Sequence, residues 1–120
     1  MISIRKWVKD GMPLPAPPYF KQMTVKNYSR RYLPDIFIET GTFKGNMVHA
    51  IKKEFKNIYS IELDEILYKI AKKRFVRNNH ISIIQGDSAV QLHKILTKND
   101  KPCLFWLDAH YSGEGQQKVI

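Results

Sequence analysis

The chain has 120 residues, of which 43% are hydrophobic and 26% charged, a composition typical of one globular domain rather than a disordered segment. No apolar stretch approaches the roughly 20 residues needed to cross a bilayer, and the N-terminus lacks the apolar core of a signal peptide. We therefore expect a cytoplasmic protein with no membrane partner. Its single cysteine, Cys103, excludes a disulfide framework and is predicted to be a buried, inert thiol within the run CLFWL.

The formal net charge of +9 is compatible with a nucleic-acid partner, because a basic surface attracts phosphates. The placement of the charges favours a simpler interpretation. They fall in two helical patterns interleaved with apolar positions, as expected for the solvated outer faces of helices. No stacking-aromatic or recognition-helix motif accompanies them, so nucleic acid is an alternative that we do not favour. The two sets are Lys52, Lys53 and Lys56, and Lys69, Lys72, Lys73, Arg74 and Arg77.

The N-terminal part of the sequence indicates an arm followed by a helix. Residues 11–18, GMPLPAPP, hold four of the six prolines and are predicted to be extended, since proline fits neither a helix interior nor a central strand. Residues 19–32 have apolar side chains at loosely helical spacing, which predicts a helix that packs on the following part. We divide the chain into residues 1–34, the arm and helix, and residues 35–120, the core.

From residue 36 onward, short apolar runs alternate with amphipathic stretches. The runs IFI, IYSI, ISII and CLFWL predict strands buried between two helical layers, at residues 36–38, 58–61, 81–84 and 103–107. The intervening patterns predict a helix over 46–55, a second one ending near Asn78, and a third from Ser88 to about Leu96. The apolar face of the second comprises Ile66, Leu67, Ile70, Ala71 and Phe75, and Ser88 with Gln91 forms a capping box for the third. This order predicts an α/β fold with a mostly parallel sheet covered on both faces.

An acidic residue follows or ends each apolar run. These residues are Glu39, Glu62, Asp87 and Asp108. In parallel sheets covered by helices, ligands bind beyond the carboxyl ends of the strands, so four acids at one edge favour a shared site. The alternative is that each acid merely caps a turn or a helix N-terminus.

The loop after the first run, ETGTFKG, narrows the chemistry of that site. An acid at the end of the second strand, here Glu62, is placed to accept hydrogen bonds from a ribose diol. The loop has Gly41 and Gly45 but not the three glycines of a dinucleotide loop. An acidic rim also suits a ligand with a cationic centre better than a diphosphate.

The succession FIETGTFKG, IYSIELDE, IIQGDSA and FWLDAHYSG resembles the class I S-adenosylmethionine-dependent methyltransferases, over residues 36 to about 115. This resemblance implies a Rossmann-like three-layer sandwich, with the first four of the usual seven strands present. It implies that the loop binds the methionine part of S-adenosylmethionine, with Glu39 at the amino group and Thr42 at the carboxylate. Glu62 would accept the ribose hydroxyls. The adenine amino group would face Asp87, with Ser88 beside it. The implied cofactor-binding set is Glu39, Thr40, Gly41, Thr42, Gly45, Glu62, Asp87 and Ser88.

The fourth motif bears on the reaction. The resemblance is nearest to the branch that methylates oxygens of sugars or other small molecules, which implies a small-molecule acceptor and catalytic roles for Asp108 and His110. Mg²⁺ on Asp108 would lower the pKa of a substrate hydroxyl, and a neutral histidine can remove its proton. The alternative roles are a helix cap for Asp108 and a loop hydrogen bond for His110.

The sequence stops soon after the fourth predicted strand. We therefore expect a C-terminally truncated core, in which the apolar edge CLFWL is completed by more chain or covered in a homodimer. Two other hypotheses stay open: a catalytically silent scaffold or subunit that keeps this fold, and a basic nucleic-acid-binding module.

Overall fold

The computed structural model describes residues 18–107. This part has four helices and four strands, which alternate along the chain. In chain order they are α1 (Pro18–Tyr32), β1 (Ile36–Thr40), α2 (Asn46–Ile51), β2 (Asn57–Glu62), α3 (Glu65–Arg74), β3 (Ile81–Gln85), α4 (Ser88–Lys98) and β4 (Cys103–Leu107).

The four strands form one parallel sheet in the order β3-β2-β1-β4. Ile38 on β1 is in register with Tyr59 on β2 and with Phe105 on β4. Because all strands point the same way, their carboxyl ends meet at one edge. The predicted α/β fold is confirmed, and β1 and β2 lie at the centre of the sheet.

Helices cover both faces of the sheet, as the continuous apolar strands predict. On one face, Phe37 and Ile58 pack with Val48 of α2 and Ala71 of α3, and Val25 of α1 joins the same cluster. On the other face, α4 packs through Ile95 onto a second cluster formed by Ile36, Ile38 and Ile61. Most of these side chains are fully buried, and at about 25 cal/mol per Å² of apolar area they supply the main stabilisation of the domain.

Several predicted boundaries and faces were wrong. The helix predicted over 46–55 ends at Ile51, and the second helix ends at Arg74 rather than near Asn78. Ile66 and Ile70 were predicted to face the core, but 71% and 46% of their surface is exposed. α3 is shorter than its pattern and packs through Ala71, while Phe75, just past its end, completes the buried cluster.

The start of α4 also differs from the prediction. Asp87, not Ser88, is the N-cap: its carboxylate accepts a hydrogen bond of 3.1 Å from the N–H of Val90. Ser88 is instead the first helical residue. Aspartate is as good an N-cap as serine, and the residue before the first helical turn is the one whose oxygen reaches the free N–H groups.

Two further expectations concern β4 and the membrane. Cys103 is only partly buried; its Sγ lies 3.2 Å from the carbonyl oxygen of Lys101, and burial raises the pKa of its thiol. Within residues 18–107, β4 pairs with β1 alone, and Phe105 and Leu107 are more than a third exposed. None of the described helices has both the length and the hydrophobicity needed to span a bilayer.

Candidate functional site

Two buried carboxylates lie at the carboxyl ends of the two central strands. Glu39, the fourth residue of β1, is 2% exposed, and Glu62, the last residue of β2, is 7% exposed. Glu39 is in register with Ser60, which lies two residues before Glu62. Side chains two apart on a strand share a face, so both acids lie on the α2 and α3 side of the sheet. The sequence prediction that these two strand ends converge is therefore confirmed for this pair.

A buried chain of hydroxyls connects Glu39 to the loop that follows β1. Ser60 Oγ donates a hydrogen bond of 2.6 Å to Glu39 Oε1, and Thr42 Oγ1 lies 2.6 Å from the same serine oxygen. A serine hydroxyl has one proton, so when Ser60 donates to Glu39 the remaining bond is donated by Thr42. This network holds the Thr42 side chain inward and satisfies polar atoms that would otherwise be costly to bury.

Glu62 holds the same loop from the end of β2. Its Oε1 accepts a hydrogen bond of 2.8 Å from the backbone N–H of Phe43, and its Oε2 accepts one of 3.0 Å from the N–H of Asp64. Each carboxylate oxygen has about two acceptor positions, so both can still accept a hydroxyl. Phe43 itself has a φ of 55°, an unfavourable value for a bulky residue, and its bond to Glu62 helps to maintain it.

Glycine is needed at the two loop positions for different structural reasons. Gly41 has a φ of 83° and donates its N–H to the carbonyl of Ile61 at 2.8 Å, which turns the chain out of β1. Gly45 has a φ of 89°, and a Cβ atom there would lie 2.5 Å from Cε2 of Phe75. What closely approaches Gly45 in this structure is thus a phenylalanine of the core. Its predicted contact with a cofactor remains a prediction.

A further side chain that contacts the loop, Arg74, was not predicted from the sequence. Arg74, at the end of α3, donates from Nη1 to the carbonyl oxygen of Lys44 at 3.0 Å and to Oδ1 of Asn46 at 2.9 Å. The helical periodicity had assigned this arginine to a solvated face. No signal in the sequence identifies it, because its partners are 28 and 30 residues away.

The third strand end is joined to the second. The N–H of Gly86 donates to the carbonyl oxygen of Glu62 at 3.0 Å, so the turn that carries Asp87 and Ser88 starts beside β2. Asp87 is exposed and caps α4 through Oδ2. The alternative role predicted for this acid, capping a helix N-terminus, is therefore observed, and its contact with a cofactor remains a prediction.

Two predicted catalytic residues and a predicted metal site concern the last predicted motif. Asp108 and His110 fall outside the described residues. Between residues 18 and 107, no group of three or more His, Cys, Asp or Glu side chains is arranged to hold a metal ion. Thr40, the last residue of β1, is buried, and its Oγ1 has no hydrogen-bond partner in the described part of the chain.

Comparison with known proteins gives a consistent result for the fold. The chain resembles an O-methyltransferase from Bacillus cereus solved in complex with SAH, with a TM-score of 0.63 and 18% identity over 88% of this chain and 51% of that one. It also resembles the SAH-bound methyltransferase PaMTH1 of Podospora anserina, with a TM-score of 0.66 and 14% identity over 88% and 49% of the two chains. These likenesses confirm the predicted Rossmann-like architecture.

Curated sequences match over shorter shares of their length. A probable ribosomal RNA small subunit methyltransferase A from Methanosarcina barkeri is 35% identical over 54 residues, which is 45% of this chain and 19% of that protein. An uncharacterized protein from Methanocaldococcus jannaschii is 34% identical over 88 residues, which is 72% of this chain and 33% of that protein. No family model matches the chain. The chain thus spans a third or less of these relatives and about half of the similar solved structures.

Proposed function

We propose that this chain, which has the fold of the class I S-adenosylmethionine-dependent methyltransferases, binds S-adenosylmethionine at the carboxyl edge of β1 and β2 and takes part in methyl transfer. The observation that carries the proposal is the pair Glu39 and Glu62, buried on adjacent strands. Glu62 accepts a hydrogen bond from Phe43 in the loop, and Glu39 accepts one from Ser60. Two carboxylates on one face favour a ligand with a cationic centre. When bound, S-adenosylmethionine supplies a methyl group on a sulfonium for in-line displacement.

The residues at this edge fit such a ligand. Glu62 accepts one hydrogen bond on each oxygen and has capacity for a ribose diol. Glu39 lies at the end of β1, where the amino group of the methionine part would approach the loop from Gly41 to Gly45. The buried hydroxyl of Thr40, which has no hydrogen-bond partner among residues 18–107, lies on the other face of the sheet from Glu39 and carries no argument for this ligand. Asp87 and Ser88 would border the adenine.

The acceptor is proposed to be a hydroxyl of a sugar or another small molecule. The Bacillus cereus structure is named an O-methyltransferase, which supports this class. Asp108 and His110 are the groups proposed to deprotonate the acceptor hydroxyl, which makes its oxygen a stronger nucleophile. Mg²⁺ on Asp108 is a separate hypothesis, tested by adding a chelator, and no step of the proposal depends on it.

Binding of S-adenosylhomocysteine (SAH), the demethylated product, tests the proposal by titration calorimetry. We expect the unmodified chain to bind SAH and Glu62→Ala to bind it at least about tenfold more weakly, since charge-assisted hydrogen bonds are lost. Glu65→Ala is the matched control, because that side chain is 71% exposed on the next turn. Absence of SAH binding by the unmodified chain would contradict the proposal.

A second candidate is methylation of nucleic acid. α1 carries Lys21, Lys26, Arg30 and Arg31 with no acid, and Tyr28 and Tyr32 stack on its exposed surface at 5.7 Å between ring centroids. The Methanosarcina barkeri relative is named a ribosomal RNA methyltransferase. RNA binding that weakens steeply with salt would favour this candidate, whereas equal binding at low and high salt, or none, would leave the small-molecule acceptor.

A further inference from the structure

Arg74 connects the end of α3 to the loop that follows β1. One nitrogen, Nη1, donates to both the carbonyl oxygen of Lys44 and the side-chain oxygen of Asn46. The two acceptors flank Gly45, which packs on the ring of Phe75. Between them, the last helical residue of α3 and the residue after it therefore contact three consecutive positions, Lys44 to Asn46.

These contacts complete a set of anchors on one short segment. Glu62 accepts the N–H of Phe43 on the β2 side, and the N–H of Gly45 donates to the carbonyl of Thr42 at 2.9 Å within the loop. The carbonyl oxygen of Lys44 accepts its hydrogen bond from Arg74. Arg74 thus adds a side-chain contact at Lys44 and at Asn46 to the backbone bonds within the segment.

We propose that Arg74 is a positioning residue that fixes the loop 41–46 in its ligand-binding conformation. The inference rests on the proposed function, since it concerns how the same loop receives the methionine part of S-adenosylmethionine. Arg74 acts through Lys44 and Asn46, and it does not itself contact the ligand. Its contribution is entropic: a loop that is already ordered loses less freedom when the ligand binds.

The geometry requires a guanidinium. The two N–H groups on one Nη1 diverge in a plane, which matches two acceptors on either side of Gly45. The ammonium of lysine lies closer to its own backbone and is a compact point charge, so it would not replace both bonds. The arginine is exposed and also lies over the Phe75 ring, 5.4 Å from its centroid, so its replacement removes two hydrogen bonds and this surface contact.

Three variants and two measurements test the inference. SAH affinity is measured by calorimetry, and amide hydrogen exchange is followed separately in the loop 41–46 and in the strands. We expect Arg74→Ala to weaken SAH binding about fivefold, the loss expected for hydrogen bonds at an exposed site, with Arg74→Lys recovering only part of it. Lys73→Ala, which removes one positive charge from the preceding residue, should bind SAH like the unmodified chain. In Arg74→Ala, amide hydrogen exchange should become faster in the loop 41–46 and stay unchanged in β1 and β2.

Rescue separates positioning from a general effect on folding. Because the site is open to solvent, millimolar guanidinium ion should restore part of the SAH affinity of Arg74→Ala and leave Lys73→Ala unchanged. Equal SAH affinity in Arg74→Ala and the unmodified chain would overturn the positioning role of Arg74 but not the proposed function. So would a loss of affinity accompanied by faster exchange throughout the strands. Absence of SAH binding by the unmodified chain would overturn the proposed function, and the positioning role with it.

Discussion

The backbone N–H of Phe43 donates a 2.8 Å hydrogen bond to Oε1 of Glu62, which joins the loop after β1 to the end of β2. The same carboxylate also accepts from the N–H of Asp64, the N-cap of α3. One side chain thus joins the turn out of β1 to the turn out of β2. A residue predicted to bind a ligand from its place in the sequence thus has a structural role, and experiment can separate that role from the predicted one.

Replacing Glu62 should affect stability and binding by different amounts. Glu62→Ala removes the acceptor for two backbone N–H groups at a site that is 7% exposed, so we expect about 2–3 kcal/mol lower free energy of unfolding. Glu62→Gln keeps one acceptor oxygen and should lose less stability. Urea unfolding measured beside SAH titration checks both quantities. A Gln variant as unstable as the Ala variant would contradict this account of the anchor.

Gly45→Ala should destabilise the chain through Phe75. The added methyl group would lie 2.5 Å from the phenylalanine ring, and the φ of 89° is unfavourable for alanine, so we expect a loss of about 2–3 kcal/mol. Shrinking the ring in Gly45→Ala/Phe75→Leu should recover part of it, leaving the backbone strain. A double-mutant cycle from thermal unfolding measures the coupling between the two positions. Simple additivity of the two changes would show that the close contact is not the cause.

Ser60→Ala should cost more than its small change in size suggests. It leaves Glu39 Oε1 without the donor at 2.6 Å and removes the acceptor of Thr42, both in a buried setting. We expect about 1–3 kcal/mol lower unfolding free energy and weaker SAH binding, because Thr42 is no longer held. Ser82→Ala, on the exposed side of β3, removes the same hydroxyl and is the control for serine loss on a strand. Equal effects of the two substitutions would argue against the buried network.

The stability of the chain should fall as the pH is lowered through the ordinary pKa of histidine, in part because of His49. The His49 side chain is exposed; slight desolvation, then the positive charges of Lys52 and Arg74, lower its pKa in the folded chain. The unfolded chain therefore binds a proton at higher pH than the folded chain. As the pH falls from about 7 to 5, protonation favours the unfolded state, and the cost is absent above that window.

His49→Gln should reduce this pH dependence, measured as urea unfolding free energy at a series of pH values. Lys52→Ala should raise the pKa of His49 toward its ordinary value, which an NMR titration of the imidazole protons detects. A pKa of His49 that is unchanged by Lys52→Ala would mean that the lysine charge does not act on this ring.

The strands were largely readable from the sequence, and the helix ends were not. Residues 103–107 were predicted with the boundaries that the structure has, because a strand covered on both faces is a continuous apolar run. The helix predicted to reach Phe55 ends at Ile51, although Phe55 is buried. Periodicity reports which side chains enter the core. It does not report whether the backbone between them is helix or turn.

The amino-acid sequence by itself determined the fold class and the place of Glu39 and Glu62 at one edge, because parallel strands bring their carboxyl ends together. Only the tertiary structure decided which groups meet there. Ser60 contacts Glu39 from 21 residues away, and Arg74 contacts Lys44 from 30. It also decided that Gly45 makes room for Phe75, since a glycine in a sequence looks the same whether a ligand or a side chain approaches it. Contacts between distant positions depend on strand register and helix packing, and no local pattern encodes either of them.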